Sequence, residues 1–207
     1  IVKVNSDDYD SYLKLKKEPP FISEDYIMFL DEYLPLHPDT KLFNIKNIKP
    51  EDYYPELCSF FDRVEQQFNM PIVIAAHPKA LRYKTEDFFG DRKVVFDKTA
   101  NLAGKAHFVI AHDSTSINYP VAFGKKIHFI SSKNIRDGIN IVHKRVICFS
   151  NYLGCNWQWF DNDDGVDLIR KINTLKYENY KYNYQTWEAT ENTSSRELFI
   201  NFLNNTT

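Results

Sequence analysis

Apolar residues along this chain fall in short unbroken runs separated by polar loops. The runs are Tyr26-Ile27-Met28-Phe29-Leu30, Pro71-Ile72-Val73-Ile74-Ala75-Ala76, Lys93-Val94-Val95-Phe96, His107-Phe108-Val109-Ile110-Ala111 and Lys126-Ile127-His128-Phe129-Ile130. They are too short for helices and lack the alternation of a half-exposed strand. They predict strands buried on both faces, the habit of parallel sheets. Residues 53–69 instead place Leu57, Phe60, Phe61, Val64 and Phe68 on one helical stripe, with Pro55 suited to the first turn. Residues 99–106 read as a short helix capped by Thr99. Another helix is predicted from the Ser/Thr cluster at 114–116 to a stop near Gly124. Residues 134–153 read as mostly helical. Further helices are predicted over 164–174 and over 194–204, the last capped by Ser194 or Ser195. Pro35-Leu36-His37-Pro38-Asp39 reads as a loop, and Asp161–Asp164 as a turn before a helix.

Strand and helix signals alternate from residue 26 to 130. The pattern predicts an α/β fold, a Rossmann-like parallel sheet flanked by helices. One domain would span 26–207, preceded by a polar lead-in segment, 1–25, that carries Pro19-Pro20 and no assigned structure. In such sheets ligands bind beyond the carboxyl ends of the strands. Asp31, His77 and Ser114 all follow strand ends.

Composition narrows the function classes. The chain has 207 residues, 43% of them hydrophobic, enough for one packed domain. A net charge of -2 leaves no global basic field for nucleic acid or an anionic membrane, so any phosphate must be held by local groups. Cys58, Cys148 and Cys155 are odd in number and have no metal spacing, which suits reduced structural thiols. No apolar run approaches the roughly 18 residues of a membrane span, and no signal peptide is visible. A cytoplasmic location is expected, with the inner face of the membrane as the second option.

Three strand ends carry candidate chemistry. Ser114-Thr115-Ser116 at a helix start offers hydroxyls and backbone N–H groups to an anion; simple N-capping would need only one of them. In His77-Pro78-Lys79, proline restrains the backbone so that the imidazole projects from a strand end. It could hydrogen-bond a phosphate or protonate a leaving group, with Lys79 adding charge; a loop histidine satisfied by backbone is the plainer alternative. Asp31-Glu32 could supply a general base, or could be a solvated acid pair or a helix cap. His112, beside Asp113, is placed to orient the Ser/Thr loop. His37-Pro38 repeats the His-Pro pattern and reads as structural, and His107, His128 and His143 read as packing or surface residues. No spacing suggests zinc, iron or calcium, no Gly-rich phosphate loop exists, and no G-x-S-x-G elbow is present.

The order of these signals resembles that in bacterial sialyltransferases and related enzymes, whose motifs are D/E-D/E-G, HP and S-S/T. The counterparts here are Asp31-Glu32-Tyr33, His77-Pro78 and Ser114-Thr115-Ser116, with Tyr33 standing where that family has Gly. AHFVIAHDSTSINYPVAFGKKIHFI is similar to the donor-binding half of GT-B glycosyltransferases. FLDEYLPLHPD and VIAAHPKA resemble stretches of bacterial surface-polysaccharide biosynthesis proteins. The likeness covers roughly residues 26–135. It implies transfer of a sugar from a nucleotide-activated donor, CMP-linked by preference, onto a glycan acceptor. His77 would contact the phosphate or act as acid, Ser114, Thr115 and Ser116 would bind the phosphate, and Asp31 or Glu32 would act as base. No cofactor and no metal is implied. The CDP-glycerol polymerases of teichoic acid synthesis share the His-Pro and Ser-Ser elements, so the donor stays open. Since GT-B enzymes use two such domains, an N-terminal acceptor-binding half is expected outside this chain. A nucleotide-sugar 2-epimerase and a non-catalytic nucleotide-sugar module are the alternatives.

Overall fold

Five of the six strands are the apolar runs. In the computed structural model, which describes residues 2–42, 48–167 and 171–205, they are β1 (Ile27–Leu30), β2 (Ile72–Ala75), β3 (Val94–Val95), β4 (Val109–Ala111) and β5 (Ile127–Ser131). β6 (Trp157–Trp159) is added at one edge. Every pairing is parallel, and the order is β3-β2-β1-β4-β5-β6. This is the strand order of a Rossmann fold. The chain leaves β1 in one direction for β2 and β3, then returns to β1's other side for β4, β5 and β6. Such a reversal opens a crevice at the carboxyl ends of β1 and β4.

The buried runs are shared between two cores. Ile27 and Phe29 of β1 and Ile72 and Ile74 of β2 face one side, where α3 (Pro50–Phe68) lays down Tyr53, Leu57, Phe60, Phe61 and Val64. Met28, Leu30, Val73 and Ala75 face the other side. There they meet Leu102 and Ala103 of α4 (Thr99–Lys105) and Val121 of α5 (Asn118–Ala122). Strict alternation of Cβ direction in a strand is what lets one short run serve both layers. α6 (Lys133–Gly138) and α7 (Asn140–Leu153) follow β5; Ile135 and Val142 join the first core, Val146 and Leu153 the second.

Several elements depart from expectation. Residues 34–36 form a 3₁₀ turn and Pro38–Leu42 the short helix α2, because Pro35 and Pro38 suit first-turn positions. Thr99 does not cap α4: Lys98 stands at the cap position with no side-chain bond, and Thr99 is already helical. The helix after β4 begins as a 3₁₀ turn, Thr115–Ile117, before α5. The helical stretch after β5 breaks at Ile139. No helix occupies 164–167 or 171–173, and 168–170 of the expected helix lie outside the described residues. Val166 is instead clamped to α3, its N–H donating to Gln67 Oε1 and its carbonyl accepting from Gln67 Nε2, each at 2.9 Å. The helix forms later, as α8 (Thr174–Tyr184), where Asn173 caps and Tyr177 and Tyr180 are buried. α9 (Ser195–Asn204) starts with a capping box between Ser194 and Glu197.

The lead-in segment also has structure. α1 (Asp7–Leu15), capped by Ser6, packs against α4 and α5. It is stapled to the far end of the chain: Ser6 N–H donates to the Gln185 carbonyl at 2.8 Å, Thr186 Oγ1 to Asn5 Oδ1 at 2.7 Å, and Ser195 N–H to Asp10 Oδ1 at 3.0 Å.

Phe61 is fully buried and meets Phe29 edge-on at 5.0 Å, joining α3 to the sheet. Phe61→Ala is expected to cost about 3–5 kcal/mol of unfolding free energy in urea titration. A loss under ~1 kcal/mol would contradict this packing.

Candidate functional site

Register sets the carboxyl ends level. Leu30 pairs with Ala75 on one side and Ala111 on the other. Asp31 and Glu32, then Ala76 and His77, then His112, Asp113 and Ser114 therefore leave the sheet along one rim.

Asp31 is 4% exposed and its carboxylate accepts three hydrogen bonds. Oδ1 accepts from the Tyr33 amide at 3.0 Å and from Tyr83 Oη at 3.2 Å, and Oδ2 accepts from the His77 amide at 3.2 Å. Tyr83 Oη lies 2.8 Å from Tyr54 Oη of α3. Burial pushes the Asp31 carboxyl up to about 6, against the three hydrogen bonds that favour its ionised form. Expected as a base, Asp31 is buried and its carboxylate is engaged by three protein donors. It holds the rim together.

Glu32 is the more open of the two acids. It is half-buried and accepts a hydrogen bond from the Ser114 hydroxyl. Burial pushes it up to about 7, with Asp113 and Asp31 adding to the shift and Ser114 and Arg145 opposing it. Asp113 is buried, and burial raises its carboxyl as well, while Arg145 Nη1 of α7 at 3.3 Å holds it back. Glu32, Ser114, Asp113 and Arg145 thus form one chain across the switch point between β1 and β4.

The Ser/Thr loop divides its labour. Ser114 is buried and its Oγ accepts from the Ser116 amide at 3.1 Å while donating to Glu32. Thr115 is exposed and Ser116 half-buried. The Thr115 and Ser116 hydroxyls take part in neither of these bonds.

His77 is half-buried, with the exposed Pro78 and Lys79 after it. Its Nδ1 accepts from the Lys79 amide at 3.2 Å. Burial first, then His37 and Lys79, hold the ring below its ordinary pKa, with Asp39 opposing. An Nδ1 that accepts a hydrogen bond carries no proton, so in this arrangement the ring is neutral. His112 is fully buried: Nδ1 lies 2.8 Å from the Ile130 carbonyl and Nε2 2.8 Å from Tyr53 Oη. A carbonyl only accepts, so Nδ1 donates and Nε2 accepts from Tyr53. Burial lowers its pKa to about 4. His112 braces β4 to β5 and α3. His128 and His143 are buried and His107 is exposed.

Sequence reasoning missed Arg145, Tyr54 and Tyr83. Arg145 sits in a helix with nothing local to mark it, and the two tyrosines look like ordinary core. Among the described residues no group of three or more His, Cys, Asp or Glu side chains could hold a metal ion, and no helix is long and apolar enough to cross a membrane. A cavity of about 610 Å³ lies between Tyr26, Cys58, Ile72 and Arg92, at the amino ends of β1 and β2 and away from the rim.

Comparison with protein-family models finds no match, and comparison with curated proteins finds none. Among solved structures the chain is similar to the glycosyltransferase SnogD from Streptomyces nogalater. The TM-score is 0.42 and the identity 12%, over 87% of this chain and 41% of that one. The chain therefore spans less than half the length of that protein. The likeness is distant, and the Rossmann assignment rests on the strand order itself.

Two variants test these electrostatics. Tyr83→Phe removes one donor from a buried carboxylate and is expected to cost about 1–3 kcal/mol in denaturant titration; an unchanged midpoint would contradict the bridge. For Glu32 the folded-state pKa lies above its unfolded value of 4.5. Its ionisation therefore erodes stability as pH climbs from 4.5 through about 7. Glu32→Gln is expected to match the wild type at pH 4 and exceed it at pH 8. Parallel stability curves across that range would count against the burial of this acid.

Proposed function

We propose that this chain is the nucleotide-sugar-binding half of a glycosyltransferase that moves a sugar onto a bacterial surface glycan. The observation that carries the reading is one meeting of groups. A carboxylate tuned to ionise near neutrality, a Ser/Thr loop and a rigid neutral imidazole share the ligand-binding rim of a Rossmann sheet. The motif resemblance adds the sugar-nucleotide substrate and favours a CMP-linked donor. The activity of a whole two-domain enzyme belongs to the same proposal.

In this scheme Glu32, rather than Asp31, removes the proton from the acceptor hydroxyl as it attacks the anomeric carbon. The bond to the donor phosphate breaks, and the phosphate leaves with the electron pair. Ser116, Thr115 and the Arg145 guanidinium hold that phosphate, and the His77 Nε2–H donates to it as its charge grows. Ser114 positions Glu32. The surrounding acids limit the site: three carboxylates would repel an anion if all were charged. Burial raises all three, so phosphate binding is easiest when part of the cluster is protonated.

Calorimetry of the chain against CMP, CDP and UDP is the direct test, with His77→Ala alongside. One nucleotide is expected to bind, and the variant to bind it more weakly. If none binds, the reading is wrong. In the complete enzyme kcat at saturating donor is expected to rise with pH to a plateau above about 7, since the base must be ionised, while the KM for the donor rises over the same range as the carboxylates become charged. Glu32→Gln should lower kcat by about 10²–10⁴-fold. A flat pH profile, or retained activity in that variant, would remove Glu32 from the mechanism.

A further inference from the structure

His37 has no part in the scheme above, yet it repeats the stereochemistry of His77. Each residue opens a His-Pro-x turn, His37-Pro38-Asp39 and His77-Pro78-Lys79. In each, the amide of the third residue donates to the imidazole Nδ1 of the first, Asp39 N at 3.3 Å and Lys79 N at 3.2 Å. A backbone amide can only donate. Both Nδ1 atoms are therefore acceptors, and each neutral ring carries its proton on Nε2. The prolines restrain both turns against rotation of the ring's own backbone.

The two turns are held against each other. The rings meet edge to face, with centroids 4.9 Å and planes 72° apart. Lys79 Nζ reaches across to Asp39 Oδ1 at 3.1 Å, closing the pair from the side. Among the described residues no hydrogen bond to protein uses either Nε2. Capping α2 explains the Nδ1 of His37 and the bond its carbonyl accepts from Thr40 Oγ1 at 2.7 Å. It explains neither a second, identically fixed ring beside it nor two unused donors. Burial is the first cause lowering both pKa values. Lys79 lowers both further and His37 lowers that of His77, while Asp39 opposes these effects. Two N–H donors with no protein partner suit an anion, and the one carboxylate beside them, Asp39 at 3.7 Å from His37 Nδ1, is itself engaged by Lys79.

We propose that His37 and His77 form a two-armed clamp in which both Nε2–H groups bind one phosphate of the nucleotide-activated donor. The ligand named rests on the glycosyltransferase reading. The pairing of the rings does not. His37 becomes a binding residue of equal standing with His77.

The test is imidazole ¹H–¹⁵N NMR of the whole chain during titration with inorganic pyrophosphate and, separately, CMP. Both histidines are expected in the Nε2–H form without ligand, and both resonances are expected to move along one binding curve. His37→Ala should weaken pyrophosphate binding about 10-fold or more, the usual cost of one hydrogen bond to a charged group. His37→Gln, whose amide nitrogen can reach the Nε2 position, should recover most of it, and His37→Asn should not. Movement of His77 alone, or wild-type binding by His37→Ala, overturns the clamp. The unmutated titration keeps the test decisive if a variant fails to fold. Pyrophosphate moving both rings without sugar transfer by the complete enzyme would sustain the clamp and overturn the glycosyltransferase reading. Nucleotide binding that leaves both rings unmoved would overturn the clamp and spare that reading.

Discussion

The Asp31 carboxylate is the joint on which the rim depends. One buried group receives the amide of Tyr33 on its own turn, the amide of His77 beyond the neighbouring strand and the hydroxyl of Tyr83. Tyr83 in turn meets Tyr54 on α3. Remove the carboxylate and three donors lose their acceptor in a dry place, which costs far more than the bonds contribute singly. The charge that makes these bonds strong is itself expensive to bury, and a pKa near 6 reflects that tension. A residue committed this way is poorly suited to shuttle protons for a substrate.

Its neighbour Glu32 is held differently. Side chains beyond a strand end no longer alternate by rule; the turn decides where they go. The turn at Tyr33 folds Asp31 inward and leaves Glu32 beside Ser114 and within the field of Asp113 and Arg145. Two consecutive acids thus meet different surroundings, and the ionisation of each is set by those surroundings rather than by its intrinsic acidity.

Much of this plan was legible in the amino-acid order. Four strands announce themselves because a strand covered on both faces is mostly apolar, as Ile72-Val73-Ile74-Ala75 is, and the half-exposed edge strand β3 does so because Val94-Val95 is apolar all the same. β6 did not, since Trp157-Gln158-Trp159 is an edge strand of three half-exposed residues. α8 stayed hidden because it is anchored by Tyr177 and Tyr180, with no aliphatic stripe, and α1 because its burial rests on Tyr9 and Leu13 in a polar segment. At the site, the strand-end rule located the rim but could not rank Asp31 against Glu32, a matter of hydrogen bonds formed in three dimensions. Arg145 could not be found at all: it meets Asp113 only after α7 has packed back along the sheet.

Tyr33 carries a consequence for how such chains are recognised. It adopts φ 55°, ψ 30°, a left-handed conformation that glycine reaches without cost and a tyrosine rarely occupies. The strain, roughly 1–2 kcal/mol, is offset locally because the same turn delivers the Asp31 bond to the Tyr33 amide and sets its ring edge-on to Tyr83 at 5.2 Å. A bend that glycine makes freely can therefore be made by a tyrosine, provided a neighbour grips the side chain, and a sequence pattern that demands glycine at such a turn would miss it.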